Sequence, residues 1–364
     1  MPEDNVERTM KLAFISEYEE IGGGESNLMN LCEELSKTHE VVLFCSGKLY
    51  THATARGISC RQFSLGGRRW LRFLPLLSFP GTLRRELAGF DLVHAYSVNI
   101  LPRLFMLGRP VVWTTHGYWE RPSGGRARMI DLIVRRVVAV STGVYDAAQF
   151  SADKKCKIFL GTSLPHCELA GQSSNRHDLR LVCVGRFQDI KGQDVLLEAL
   201  GACARAQPGR HFILELVGDV NGNSPADFQY KARLEALADT VRAPNLSIDF
   251  KGFQPNPTQF MRNADLVVIP SRYESFSMVA IEALACGKPV IAPDIGGPKD
   301  IIDSADVGLR FEPGNVSSLA QAILDMAAGL SRYCPETCAR RAQDFSVARQ
   351  AQEHVLMYEE ILSA

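Results

Sequence analysis

The sequence is short of the features that would take it outside ordinary cytoplasmic α/β proteins. No uninterrupted apolar run reaches the roughly 18 residues that a spanning helix needs, and residues 1–10 are polar and acidic rather than basic and then apolar. Neither a secretory leader nor an integral membrane segment is expected. The ten cysteines contain no Cys-x-x-Cys, and several stand in apolar runs such as 42–45 and 181–184. They read as reduced core thiols of a cytoplasmic protein. Net charge is only −1, which gives no reason to expect nucleic acid as a partner. Internal repeats and low-complexity tracts are absent too.

What is present is enough apolar material for two cores. The chain has 364 residues, 46% hydrophobic and 22% charged, where a single domain takes roughly 100–200. Short β-branched runs alternate with helical patterns, the form of βαβ units around parallel sheets. Strands are expected over 11–16, 41–45, 91–96, 110–115 and 137–141, and again over 179–186, 212–219, 246–252, 264–270 and 289–293. Polar residues 161–178, without helical or strand period, read as the linker. Two such domains place their ligands outside the carboxyl ends of the strands, so the active site is expected in the cleft between them.

The most informative stretch is 264–283. A buried strand ends at Pro270, a short loop carries Glu274, and a helix begins near Phe276 or Ser277. The backbone N–H groups of Ser277, Met278 and Val279 then stand as open donors where the helix macrodipole also favours an anion such as a phosphate. Glu274 precedes the helix and Glu282 lies about two turns further on. Each carboxylate can accept a pair of sugar hydroxyls; equally, Glu274 can cap the helix and Glu282 face solvent. Upstream, Gly185-Arg186 ends a strand and Lys191-Gly192 opens a helix. Two cations beside a crevice can neutralise a departing diphosphate, or be no more than solvated charges at a helix end. In the first half, Gly22-Gly23-Gly24 follows the first strand, as a ligand loop or a flexible turn, without the Gly-x-Gly-x-x-Gly spacing of a dinucleotide site. His116 ends the strand 110–115, and His94 ends another; each can serve a ligand or the core.

In that setting Glu274 and Glu282, in an E-x7-E arrangement ahead of Cys286-Gly287-Lys288-Pro289-Val290-Ile291-Ala292, closely resemble the signature of glycosyltransferase family 4. Gly185-Arg186, Lys191-Gly192, Gly296-Gly297 and Gly308-Leu309-Arg310-Phe311 continue the resemblance in order over nearly the whole chain. It implies a GT-B fold of two Rossmann-like α/β domains: 1–165 for the acceptor, 166–345 for the nucleotide sugar, and a helix 346–364 packing back on the first. It implies a retaining, hexosyltransferase-type enzyme using a UDP- or GDP-sugar and no cofactor. By the same resemblance Arg186 and Lys191 hold the diphosphate, Glu282 the ribose hydroxyls and Glu274 the donor-sugar hydroxyls, with His116 beside the transferring sugar and Gly23 and Gly24 along the diphosphate. No metal is expected, and the absence of any Asp-x-Asp agrees. Ser275 stands where many members have glycine, Pro298-Lys299-Asp300 where a glutamate is frequent, and Leu160-Gly161-Thr162-Ser163 lacks the usual Asn-Gly-Val.

Between Lys48 and Arg136 fifteen Lys and Arg face four acids, so something acidic is expected near that surface. Within it, residues 68–85 mix arginines with Trp70, Phe73 and leucines, either as a peripheral contact with an anionic inner leaflet, suited to a lipid-linked acceptor, or as an ordinary helix interrupted by Pro75 and Pro80. The acceptor is otherwise a small molecule or glycan. A nucleotide-sugar epimerase, a two-carboxylate retaining hydrolase and a non-catalytic nucleotide-sugar binding protein are the competing readings.

Overall fold

The computed structural model describes residues 9–19, 21–63, 81–120, 122, 124–164, 177–220, 222 and 224–364. The chain divides into two compact units, Met1–Ser163 with Val347–Ala364, and Leu164–Ser346. Residues 68–80 and 165–176, and with them most of the expected basic segment and linker, lie outside the described residues.

The first unit carries β1 (Lys11–Ile15), β2 (Glu40–Cys45), β3 (Cys60–Gln62), β4 (Leu92–Ala95), β5 (Val111–Thr115), β6 (Val134–Ala139) and β7 (Lys155–Lys157). They form one sheet in the order β3-β2-β1-β4-β5-β6-β7, every pair parallel. A parallel sheet is covered on both faces, so its strands read as unbroken apolar runs. Along β1, Leu12 and Phe14 enter a core with the helix Gly23–Leu35 and the C-terminal helix Val347–Ser363. Ala13 and Ile15 point the other way, into a core with Leu83, Leu87, Leu101 and Leu104.

The second unit carries β8 (Asp178–Val184), β9 (His211–Val217), β10 (Leu246–Gly252), β11 (Leu266–Val268), β12 (Val290–Pro293) and β13 (Gly308–Phe311). Their order is β10-β9-β8-β11-β12-β13, again parallel throughout. Counted within each unit, both sheets begin 3-2-1-4-5-6, the doubly wound arrangement whose order reverses between its first and fourth strands. The reversal falls between β1 and β4 in one unit and between β8 and β11 in the other.

All ten strands expected from apolar runs are present, with ends shifted by up to three residues. Three more are not announced by such runs. β3 and β7 are three-residue edge strands of sequence Cys-Arg-Gln and Lys-Cys-Lys, and β13 closes an edge of the second sheet; a one-sided edge strand needs no apolar run. Pro335 is the first residue of the helix Pro335–Gln343, where its missing N–H costs nothing.

The C-terminal helix is fastened to the first unit by a buried amide pair. The Asn27 side-chain amide donates to Gly161 O at 2.6 Å and to Gln350 Oε1 at 2.8 Å, and Gln350 Nε2 donates back to Asn27 Oδ1 at 3.2 Å. The Gly161 N–H also donates to Gln350 Oε1, at 2.8 Å. A buried polar group that loses its partner costs about 1–3 kcal/mol. Asn27→Ala is therefore expected to lower the unfolding free energy of the first unit by an amount in that range, read from a urea melt as a lower midpoint at unchanged slope; an unchanged midpoint would show that the pair carries no weight.

Candidate active site

In the second unit, the loops after β8 and β11 meet where the strand order reverses. After β8 come Gly185 and Arg186, then the turn Asp189–Lys191 and, through Gly192, the helix Gln193–Ala206. After β11 the chain runs through Glu274 to the helix Met278–Ala285. Lys191 Nζ bonds Glu274 Oε2 at 2.8 Å, and Ser271 Oγ donates to the same oxygen at 3.0 Å. Arg272 ties the two loops together: its N–H donates to Ile190 O at 2.9 Å, and its guanidinium forks onto Asp194 at 2.9 and 2.7 Å. Burial works to raise the Asp194 carboxyl, but Arg272 and the Tyr230 hydroxyl hold it below the ordinary carboxylate range.

Arg186 is exposed, and its guanidinium meets no partner among the described residues; Gln193 Nε2 holds its carbonyl at 2.9 Å. Ser277 precedes the helix Met278–Ala285 at φ +95°, and its hydroxyl makes no capping bond. Among the described residues no acceptor meets the N–H groups of Ser277, Met278 or Val279. This leaves an open helix N-terminus, as the sequence pattern implies. Glu282 makes no side-chain hydrogen bond among the described residues. Some of its surface remains accessible, yet the protein packed around it pushes the carboxyl up to about 7.

In the first unit, Gly23 and Gly24 are the first two residues of the helix Gly23–Leu35, and Glu25 Oε2 accepts the Gly22 N–H at 2.9 Å. A Cβ placed on Gly24 would lie 3.5 Å from the His116 imidazole, so the glycine turn abuts the histidine that follows β5. Burial pulls the His116 imidazole down to about 4, so it is neutral at physiological pH. Its ring stands 5.4 Å from Tyr96, which in turn stands 5.0 Å from His94. His94 proves to be a core residue. It is fully buried, with Nδ1 2.6 Å from the Tyr358 hydroxyl and Nε2 2.7 Å from Thr114 Oγ1.

Two family models divide the chain much as its two sheets do: Glycosyltransferase Family 4 matches residues 21–151, and Glycosyl transferases group 1 matches residues 178–328. The chain belongs to glycosyltransferase family 4. A D-inositol 3-phosphate glycosyltransferase of Jonesia denitrificans is 36% identical over 186 residues, 49% of this chain and 42% of that one. Its counterpart in Segniliparus rotundus is 42% identical over 119 residues, 31% and 24% of the two chains. The match thus spans less than half the length of these curated relatives. Among solved structures, HepE of Anabaena in complex with UDP gives a TM-score of 0.79 at 23% identity, covering 96% of this chain and 100% of that one. A glycosyltransferase of Rickettsia africae gives 0.80 at 19% identity, covering 97% and 99%. The fold of this family 4 chain is GT-B.

Of the site residues expected from the sequence, the structure brings Lys191 and Glu274 into contact, and Gly24 against His116. The Arg186 and Glu282 side chains and the 277–279 N–H groups have no hydrogen-bond partner among the described residues. Sequence reasoning passed over the parts that brace them. Asp194 and Arg272 had a usable signal, a carboxylate three residues after Lys191 and a guanidinium two before Glu274. Glu120, which reaches back to His116, and Tyr18, which reaches Glu120, had none.

The position of Glu274 depends on Gly296, at φ +61°, where a Cβ would fall 1.8 Å from the Glu274 carbonyl oxygen. Gly296→Ala is expected to cost about 2 kcal/mol or more and to displace the Glu274 loop. Gly209→Ala is the control, since Gly209 has ordinary φ and nothing within 4 Å of an added Cβ. Equal thermal midpoints for the two variants would refute the close-approach argument.

Proposed function

We propose that this chain transfers a glycosyl group, as a hexosyltransferase, from a UDP- or GDP-sugar to a hydroxyl acceptor with retention of anomeric configuration. The observation that carries this is the meeting of Lys191, Glu274 and the open N-terminus at Ser277 where the order of the second sheet reverses. Donor diphosphate oxygens would take the 277–279 N–H groups, Arg186 and Lys191, which would be shared between Glu274 and the phosphate. Glu282 would take the ribose hydroxyls, and Glu274 the hydroxyls of the donor sugar. Gly23 and Gly24 would approach the diphosphate from the first unit, with the neutral His116 beside the transferring sugar.

In this reading the anomeric carbon–oxygen bond to the diphosphate breaks, and the acceptor oxygen bonds that carbon on the same face. The acceptor proton passes to the leaving phosphate. Negative charge growing on the diphosphate is met by Arg186, Lys191 and the helix N-terminus, which needs no protein nucleophile and no metal. The solved HepE complexes contain UDP and UDP-glucose, which makes uridine nucleotides the first donors to try. Products of this class include polysaccharides, glycolipids and natural-product glycosides. A cytoplasmic location, with contact to the inner membrane face through residues 68–85, belongs to the same proposal. No described helix is long and apolar enough to cross a membrane.

The test is release of nucleoside diphosphate from a panel of nucleotide sugars, with lipid extract and soluble metabolites as acceptors. Acceptor-dependent release that persists in chelator and falls about 100-fold or more in Lys191→Ala is expected, with the product anomer matching the donor by NMR. Donor binding without release in any acceptor fraction would instead favour an epimerase or a binding protein.

A pH dependence follows from Glu282. Its carboxylate form is the better acceptor for two hydroxyls, and burial raises its pKa to about 7. Affinity for an intact nucleotide sugar, whose diphosphate has no ionisation in this range, is expected to weaken as pH falls from 8 to 6. The expected loss is roughly tenfold, because about a tenth of a group with pKa 7 is ionised at pH 6. Titration calorimetry should show Glu282→Gln weak and flat across that interval. A wild-type affinity independent of pH would remove Glu282 from the ribose.

A further inference from the structure

Glu120 stands four residues after His116, at the end of the turn Tyr118–Glu120, and is 3% exposed. Its Oε2 accepts the backbone N–H of His116 at 2.6 Å. Its Oε1 accepts the Tyr18 hydroxyl at 3.2 Å, and Tyr18 lies on the loop between β1 and the Gly23–Leu35 helix. One carboxylate therefore joins the loop after β5 to the loop after β1. The second of these runs directly into Gly23 and Gly24, which abut the same imidazole. The loop after β4 is joined to that network by Glu17, whose Oε1 accepts from Ser97 Oγ at 2.8 Å and Asn99 Nδ2 at 2.7 Å.

The chemistry of Glu120 is unlike that of a stabilising ion pair. No Lys or Arg among the described residues pairs with it, and the charge that acts on it is another carboxylate, Glu25. Burial pushes its carboxyl up to about 7. A buried carboxylate without a cation is a net cost to the fold. Its return is geometric, because it closes a short loop on its own first residue and fixes where the histidine backbone begins.

We propose that Glu120 is a positioning residue for glycosyl transfer: its two oxygens fix His116 at the end of β5 and hold the Tyr18 loop, and with it the Gly23–Gly24 turn, against the imidazole. The proposal rests on the transferase reading above. It assigns Glu120 no contact with donor or acceptor.

The experiment compares Glu120→Leu, Glu120→Gln and Tyr18→Phe in the full chain. Glu120→Leu is expected to lose roughly 10- to 100-fold in kcat, the order by which a small misplacement of a reacting group slows an enzyme, with a clearly smaller loss of donor affinity, since the second unit carries most of the proposed donor contacts. Glu120→Gln keeps an oxygen for the His116 N–H and an amide for the Tyr18 oxygen, and should return kcat to within about threefold. Tyr18→Phe, which loses the Tyr18 bond and keeps those to the His116 N–H and the Thr115 side chain, should fall between. A Glu120→Leu enzyme within twofold of wild type in kcat overturns the proposal. So does a Glu120→Gln enzyme as slow as the leucine variant, or a loss of kcat matched by an equal loss of donor affinity. The second readout is independent of turnover: the Cε1–H resonance of His116, assigned with His116→Gln. It should move in Glu120→Leu and Tyr18→Phe and hold in Glu120→Gln, even if the wild-type protein transfers no sugar. Unmoved resonances in all three variants would sink the positioning role by itself, whereas an inactive wild type with the expected shifts would count against the transferase reading alone.

Discussion

Backbone-to-backbone contact at two glycines is the constraint on which the second unit's site depends. At Gly192 a Cβ would lie 2.2 Å from the Pro270 carbonyl oxygen, and at Gly296 1.8 Å from that of Glu274. Both residues sit at positive φ, +65° and +61°, so only glycine satisfies the conformation and the space together. These contacts stack the loops after β8, β11 and β12 at the carboxyl ends of their strands. The Lys191–Glu274 pair at 2.8 Å is a consequence: two loops already pressed together bring a cation and an anion into register. The Arg272–Asp194 fork then locks the same two loops through side chains.

The first unit reaches a comparable end by other means. Its loops after β1, β4 and β5 are joined by carboxylates, Glu17 to Ser97 and Asn99, and Glu120 to Tyr18 and the His116 N–H. Glycine has a share there too: Gly47, at φ +60°, lies where a Cβ would fall 2.6 Å from the Glu19 Cβ, whereas a Cβ on Gly24 would make only ordinary contact with the imidazole. A backbone contact tolerates almost no substitution, whereas a carboxylate bridge can be re-formed with a partner of different length. The donor diphosphate is a common requirement of nucleotide-sugar chemistry and the acceptor is not. In the proposed reading, the rigid device therefore lies where the ligand is constant and the adaptable one where it varies.

Much of this was legible in the sequence because parallel sheets bury both faces of each strand. Runs such as Val41–Val42–Leu43–Phe44 cannot belong to an exposed edge, and the alternation of runs and helices carried the doubly wound pattern in both halves. The short edges β3 and β7 were not legible, since a three-residue strand of Cys-Arg-Gln or Lys-Cys-Lys has no apolar signature. The site divided along similar lines. Lys191, Glu274 and the Ser277 helix start are close in sequence to strand ends, so topology alone predicts that they meet. His94 and His116 looked alike, each a histidine near the end of a strand. The difference lies in Tyr358 and Thr114, which satisfy both ring nitrogens of His94; Tyr358 arrives from a helix 264 residues further along the chain. Glu120 was illegible for the same reason, since a carboxylate aimed back at its own loop looks, in sequence, like one aimed at water.

In the second unit, departures from the local rules fall where the proposed donor would bind. Ser277 holds φ +95° without glycine's freedom, a strain of order 1–3 kcal/mol, and it does so where three N–H groups meet no acceptor among the described residues. Glu282 keeps a carboxyl in a desolvated position without a hydrogen-bond partner among them, and Arg186 holds out an exposed cation without an anion among the described residues. Taken singly, each is a small cost that a fold optimised for stability would remove by Ser277→Gly, Glu282→Gln or an added acid beside Arg186. In the proposed reading they suit one molecule together, with a doubly charged anion for the helix end and the guanidinium, and adjacent hydroxyls for the carboxylate. On that reading the strain and the unmet polarity are one feature, and the stability forgone in the second unit would be recovered in the contacts that a nucleotide-diphosphate sugar completes.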